Sequence, residues 1–261
     1  MNRLFLSPGS IHAGDLILVD SRHPYREKRC PELTGVPTPD SPVLLERRAA
    51  DAFHALMTAA EGWAHILPVS GWRSRRDQQA IWDGSLTENG LPFTKTFVAK
   101  AGCSEHETGL AIDVGLADRE PDFIRPHFPY QGISQTFRDL APAYGFIQRY
   151  PAGKESVTGI GHEPWHFRYV GKPHAAIMTQ RGLTLEEYLS FLGDHPYGRA
   201  PYPTEVDGVE TWVSYLSAAP TGATVLDLPQ GMVCTISGDN MGGFILTQQR
   251  TSHVRNTVSR P

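Results

Sequence analysis

Residues 104–115 read SEHETGLAIDVG. Within this run, GLAIDVGL alternates with the period of a strand, placing Leu110, Ile112 and Val114 on one face and Ala111, Asp113 and Gly115 on the other. The run is small and apolar enough to be a buried strand, yet it carries a histidine and an aspartate seven positions apart. Asp113 has the smallest available neighbours on its own face, which leaves its carboxylate open to approach. His106 lies across Gly109, whose missing Cβ lets the chain turn. Either the two polar residues have separate partners, or they reach for a common third object.

A second polar cluster, HEPWHFR, occupies residues 162–168. Pro164 favours a turn that brings Glu163 and His166 to one side before a strand begins. Two histidines and an aspartate, His106, Asp113 and His166, are sufficient for a catalytic zinc site, which keeps its fourth position for water. Glu163, three residues before the last of them, can then be an unligated carboxylate that takes the water's proton. Any one of the eleven histidines is more often packed or exposed than a ligand, and Asp113 alone could cap a turn. The conjunction of His, then Asp on a small-residue face, then Glu-x-x-His is what points to a metal. A nucleophilic pair of Cys103 and His106 is the competing reading, but it leaves Asp113, Glu163 and His166 without a shared purpose.

The 261 residues allow one large domain, or a domain with an appendage. A net charge of −4 with no stripe of Lys and Arg argues against nucleic acid as a partner. At the N-terminus, LFL is interrupted at once by Ser7-Pro8-Gly9, so no signal-peptide core is visible. No stretch approaches the ~18 apolar residues of a spanning helix, so membrane insertion is not expected. Three scattered cysteines, Cys30, Cys103 and Cys234, form no disulfide framework. We expect a cytoplasmic protein of undetermined oligomeric state.

Along the chain, DLILVD (15–20) reads as a strand, and Ser41-Pro42 as the start of one amphipathic helix over 42–63. HILPVSGW reads as a buried strand, and SRRD (74–77) as a capping box opening a second helix. A helix is expected from Ser134 to Gly145, strands at GFIQRY and WHFRYV, and a capped helix in TLEEYLSFLG. After the proline-rich HPYGRAPYP the texture changes to short β-like runs, with GDNMGG as a hairpin turn. These patterns predict an α+β domain over 1–195 and a β-rich appendage over 196–261.

The paired motifs S-x-H-x-x-G-x-A-x-D (104–113) and E-x-x-H (163–166) resemble those of the zinc D-Ala-D-Ala dipeptidases and carboxypeptidases, the VanX/VanY group. SGWRS (70–74), Gln78 and GFIQRYP…GIGHEPWHFRYVG (145–171) extend the likeness over roughly 65–172, and the chain looks most like the bifunctional VanXY branch. The resemblance implies a central antiparallel sheet flanked by helices, with one zinc ion per chain held by His106, Asp113 and His166. It implies Glu163 as catalytic base and Arg73 as the cation that polarises the scissile carbonyl; a fixed guanidinium suits charge developing on that oxygen. Ser104 and Gln78 match positions that help hold the peptide, though a turn residue and a solvated helix face are their plainer readings. Trp72 and Trp165 either line the cleft or pack, and His162 is read as structural.

The function implied is hydrolysis of D-Ala-D-Ala, of D-Ala-terminated peptidoglycan precursors, or both, with glycopeptide resistance as its cellular setting. The alternatives are a peptidoglycan endopeptidase or L,D-carboxypeptidase of the same zinc fold, and a non-catalytic zinc or peptide-binding module. Segments 84–102 and 116–133 are expected as loops over the cleft.

Overall fold

The alternating run does form a strand, Ala111–Leu116, with Ile112 and Val114 fully buried in the main core as their period requires. The computed structural model describes residues 2–26, 31–39 and 41–250. In chain order the first half contains β1 (Asn2–Leu6), β2 (Leu33–Val36), β3 (Val43–Glu46), α1 (Arg47–Ala59), β4 (Ile66–Ser70), α2 (Arg75–Phe97) and β5 (Ala111–Leu116). There follow α3 (Gly132–Leu140), β6 (Phe146–Tyr150), the single turn α4 (Glu155–Thr158), β7 (Glu163–Tyr169), α5 (Lys172–Arg181) and α6 (Leu185–Gly193). The C-terminal strands are β8 (Tyr202–Val206), β9 (Val209–Ser217), β10 (Thr224–Leu228), β11 (Met232–Gly238) and β12 (Gly243–Arg250).

The central sheet is antiparallel in the order β4-β5-β7-β6. One face is covered by α1 and α3: Phe53 and Phe137 meet Phe146 and Phe167 in edge-on and tilted contacts with centroids 5.0–6.1 Å apart. Such offset geometries favour the ring quadrupoles while burying large apolar areas. The other face, to which Ala111 and Asp113 belong, lines an open cleft. The structure is therefore α+β, with a central antiparallel sheet flanked by helices.

A four-stranded sheet, β11-β12-β9-β8, follows α6, and β1 pairs with β10. A second core joins Leu16 and Leu18, helices α5 and α6, Val213 of β9 and Ile245 of β12. Residues from both sides of position 195 thus share one apolar interior. The β11–β12 hairpin closes at Asp239–Gly242 as GDNMGG predicts; Asn240 takes φ 62, and Asp239 Oδ1 accepts from the backbone N–H groups of Met241, Gly242 and Gly243. No helix among the described residues is long and apolar enough to cross a membrane.

Three sequence expectations change. The helix begins at Arg47 rather than Pro42, because 43–46 pairs with 33–36 as a hairpin and Glu46 caps α1 by accepting from Arg48 N and Ala49 N. Leu16–Val19 is buried but forms no strand. Its backbone groups go to side chains and to one turn: Arg168 Nη2 donates to Asp15 O and Ile17 O, Ser237 Oγ accepts from Leu16 N, and Asp239 O accepts from Leu18 N. Segment 84–97 is helix rather than loop, in two stretches joined at Gly90, whose φ of 78 breaks the first. Cys103 and Cys234 are free thiols; Cys30 lies outside the described residues.

His174 of α5 joins α6 to β12 beside the second core. Its Nδ1 is 2.7 Å from Tyr188 Oη and its Nε2 3.0 Å from Thr247 Oγ1, so a neutral ring satisfies both hydroxyls. Burial pushes its pKa down from 6.5 to about 3. The unfolded chain therefore takes up a proton that the folded chain refuses, and the stability present above pH 6.5 is lost as pH falls toward 3. Melting temperatures measured between pH 7 and pH 4 should fall less steeply in His174→Gln than in wild type. Equal slopes would show that another group governs the acid limb.

Candidate metal centre

His106 sits in a single 3-10 turn, Glu105–Thr108, that ends at Gly109 in the left-handed region (φ 75). A Cβ at Gly109 would stand 2.9 Å from Glu46 N, so the turn needs glycine for both conformation and space. The turn returns His106 over β5. Its Nδ1 lies 2.7 Å from Gly71 O, which can only accept, so Nδ1 is the protonated nitrogen. Nε2 is left with its lone pair, 3.1 Å from Asp113 Oδ2.

Asp113 and His166 face each other directly across the β5–β7 ladder, and His166 Nδ1 lies 2.8 Å from Asp113 Oδ1. Glu163 reaches the same side by an irregularity. Gln148 pairs with Phe167 but Tyr150 with Glu163, so residues 164–166 of β7 stand opposite Arg149 alone. Residues i and i+3 of a regular strand point to opposite faces; this bulge reverses that and brings Glu163 Oε2 to 3.8 Å from His166 Nδ1. Glu163 and His166 do share a side, as expected, but through a bulge inside the strand rather than a turn before it. Pro164 has its place there because a bulge tolerates a missing N–H.

One ligand atom from each of His106, Asp113 and His166 lies within 4.8 Å of the other two, and all three residues are buried. Two imidazole nitrogens and a carboxylate oxygen form a donor set that fits zinc, with a fourth position facing the cleft. The electrostatics fit as well. Burial opposes the charge of Asp113, but His106 and His166 outweigh it and hold the carboxyl well below its usual range. Burial and the Arg73 guanidinium push His106 down to about 4, which keeps it neutral and able to donate a lone pair. Burial pushes Glu163 up to about 8, against the pull of His166. A carboxyl so placed can hold or release a proton near neutral pH.

Arg73 enters from the loop between β4 and α2. Its Nη2 is 3.9 Å from Asp113 Oδ2, its backbone N–H donates to His106 O, and its buried Nε has no partner among the described residues. Burial lowers its pKa. Arg73, His106, Asp113, Glu163 and His166 line a single cleft.

Ser104 and Gln78 line the same cleft. The Ser104 side chain makes no hydrogen bond in the turn that it opens. Gln78 is buried in the first turn of α2 rather than solvated; Nε2 donates to Ala99 O while Oε1 has no partner among the described residues. Trp165 both lines the cleft and belongs to the core, whereas Trp72 does neither. His162 Nε2 lies 2.6 Å from Tyr130 Oη and the two rings stack, a structural role. Burial raises the Cys103 thiol pKa, opposite to what a nucleophilic cysteine requires.

Phe97, Phe123 and Ile124 of the cleft lining come from the segments 84–102 and 116–133 expected over the cleft, whereas sequence reasoning missed Tyr150. Tyr150 had a signal, since it falls in the GFIQRYP stretch that extends the family likeness. It also missed Glu105, fully buried next to His106.

Comparison with known proteins agrees with this geometry. The VanY family, described as D-alanyl-D-alanine carboxypeptidase, matches residues 42–172. The bifunctional D-Ala-D-Ala dipeptidase and D-Ala-D-Ala carboxypeptidase VanXYC of Enterococcus gallinarum is 44% identical over 179 residues, 68% of this chain and 94% of the relative. The crystal structure of the vancomycin resistance D,D-dipeptidase VanXYg in complex with a D-Ala-D-Ala phosphinate analog superposes with a TM-score of 0.92 at 42% identity, covering 95% of this chain and 99% of that one. A mutant of the D,D-pentapeptidase VanY from a VanB-type resistance cassette, in complex with Zn(II), superposes at 0.56 and 31% identity, covering 67% of this chain and 98% of that one.

Gly71, whose carbonyl holds His106, packs so closely that a Cβ would stand 2.3 Å from Leu44 O. Gly71→Ala must therefore push β4 and β3 apart, at about 1–3 kcal/mol. Thermal unfolding should register a loss of roughly 2–4 °C per kcal/mol for a chain of this size. An unchanged melting temperature would show that the two strands separate without penalty.

Proposed function

Since this chain belongs to the VanY family of D-alanyl-D-alanine carboxypeptidases, zinc metallopeptidases of the VanX/VanY group, we propose that it removes the C-terminal D-Ala both from the dipeptide D-Ala-D-Ala and from D-Ala-terminated peptidoglycan precursors. Vancomycin resistance is the cellular role that goes with this activity among its relatives, and we extend it to this chain. The observation that carries the reading is the convergence of two histidines, two carboxylates and a guanidinium on one cleft.

In this reading His106, Asp113 and His166 hold one zinc ion per chain, supported by a single such three-residue group among the described residues. When bound, zinc supplies a Lewis acid and lowers the pKa of water in its open position. Glu163 is the base: its carboxylate takes a proton from the attacking water and returns it to the amine of the departing D-Ala. The elevated pKa of that carboxyl suits both transfers. Arg73 faces the scissile carbonyl and stabilises the negative charge that develops on its oxygen; the unpartnered Nε and an Nη are the donors available to it. Ser104 and Gln78 hold the peptide, through a hydroxyl without a partner in its own turn and an unpartnered amide oxygen. The two described cysteines are unpaired, which suits the reducing cytoplasm where we place the enzyme.

The test is release of free D-Ala from dipeptide and pentapeptide side by side, with and without a chelator. Wild type should release D-Ala from both and stop when zinc is stripped; no release from either by the zinc-loaded enzyme would end the proposal. Glu163→Ala should keep its zinc while turnover drops by roughly 10²–10⁴-fold. Wild-type turnover in that variant would remove Glu163 from the mechanism.

A further inference from the structure

Glu105 stands one residue before His106, yet the reading above gives it no task. Its side chain is fully buried. One oxygen, Oε1, accepts from Arg149 Nε at 2.8 Å and lies 2.8 Å from Arg168 Nη1. The other, Oε2, has no hydrogen-bond partner among the described residues and faces His166 Nε2 at 3.5 Å. That nitrogen is also buried and unpartnered. The two nitrogens of the His166 ring thus look in different directions: Nδ1 toward Asp113, Nε2 toward Glu105.

Buried polar atoms are nearly always paired, and a carboxylate oxygen opposite an imidazole nitrogen is a complementary pair awaiting a small closure. We propose that Glu105 is a positioning residue for the metal centre: once a metal takes the place of the Nδ1–H that here meets Asp113 Oδ1 at 2.8 Å, Glu105 Oε2 accepts the Nε2–H of His166 and so fixes the tautomer whose Nδ1 lone pair is turned toward His106 and Asp113. Histidine ligands to metals commonly donate their other N–H to a carboxylate, which orients the ring and raises its basicity. The inference rests on the assignment of His166 as a ligand.

The carboxylate is itself held from outside the centre. Arg149 forms a two-point pair with Glu186 of α6, its Nη1 and Nη2 donating at 2.9 and 2.7 Å. Arg168 is anchored by the carbonyls of Asp15 and Ile17. The Arg149 guanidinium lies over the Tyr150 ring, which in turn lies 4.9 Å from the His166 ring. The imidazole is therefore bounded by Glu105, Tyr150 and Asp113, and the element furthest from the ladder that fixes it is α6.

Zinc affinity, by competition with a chromogenic chelator, and nitrogen NMR of histidine-labelled, zinc-loaded protein together test this. In wild type, His166 should carry a slowly exchanging proton on Nε2; a His166 protonated on Nδ1, or a freely exchanging Nε2 proton, overturns the proposal whatever the variants do. Glu105→Gln should bind zinc 10–100-fold more weakly and shift the His166 signals. A purely structural Glu105 would lower the melting temperature in chelator yet leave the affinity and the signals unchanged, and that result overturns the proposal. His166→Ala separates the two readings. If it loses zinc while Glu105→Gln binds as wild type does, this inference alone fails; if it binds zinc as wild type does, the ligand assignment fails and takes this inference with it.

Discussion

A buried carboxylate with two imidazoles at hydrogen-bond distance and a guanidinium 3.9 Å away is the constraint around which this protein is arranged. Each of these groups would be expensive to bury alone, because transfer of an unpaired charge out of water costs several kcal/mol. Together they are tolerable only if backbone elements hold them in fixed relation. The direct pairing of β5 with β7 does so for Asp113 and His166, and the Gly109 turn with the Gly71 carbonyl does so for His106. The apolar face of the same sheet, packed under α1 and α3, keeps the ladder from shifting.

Behind that cluster lies a second layer of charge. Glu105, Arg149 and Arg168 are buried together with the half-buried Glu186 at their edge, and their partners come from distant parts of the chain. Arg168 satisfies carbonyls of the irregular 15–17 segment, whose neighbouring amides are taken up by the β11–β12 hairpin. The C-terminal strands are thus in hydrogen-bonded continuity with the floor of the cleft, and the second core, running from Leu16 through α6 to Ile245, fills the space between. Breaking any one ion pair would leave an uncompensated buried charge, so the layer acts as a unit.

Much of this was legible before any coordinates. The period-two run at 109–116 specified a strand and both of its faces, since side-chain alternation is a local property of extended backbone. TLEEYLSFLG specified a capped helix, which Thr184 and Glu187 complete as a full box, while SRRD gives a cap rather than the expected box, Ser74 Oγ accepting from Asp77 N; such bonds close within one turn. Two of the expectations that changed involve partners outside the local window. Ser41-Pro42 is a sound local helix start, but hairpin pairing with 33–36 claims residues 43–46 first. DLILVD has the composition of a strand, but its carbonyls find an arginine 151–153 residues away.

The same division holds for the centre. Local sequence determined which chemistry is present: His, Asp, Glu-x-x-His and a nearby Arg, with small residues leaving Asp113 open, all follow from residue identity and short-range periodicity. Only the tertiary structure decided how Glu163 and His166 come to share the side the sequence expected, because that takes a bulge defined by the register against β6. Only it, likewise, brought Glu105 opposite His166 and tied both to α6. Register and buried pairing are set by the chain's total packing, in which every strand must bury its apolar face and every buried charge must find its counterpart, and no window of a few residues contains that information.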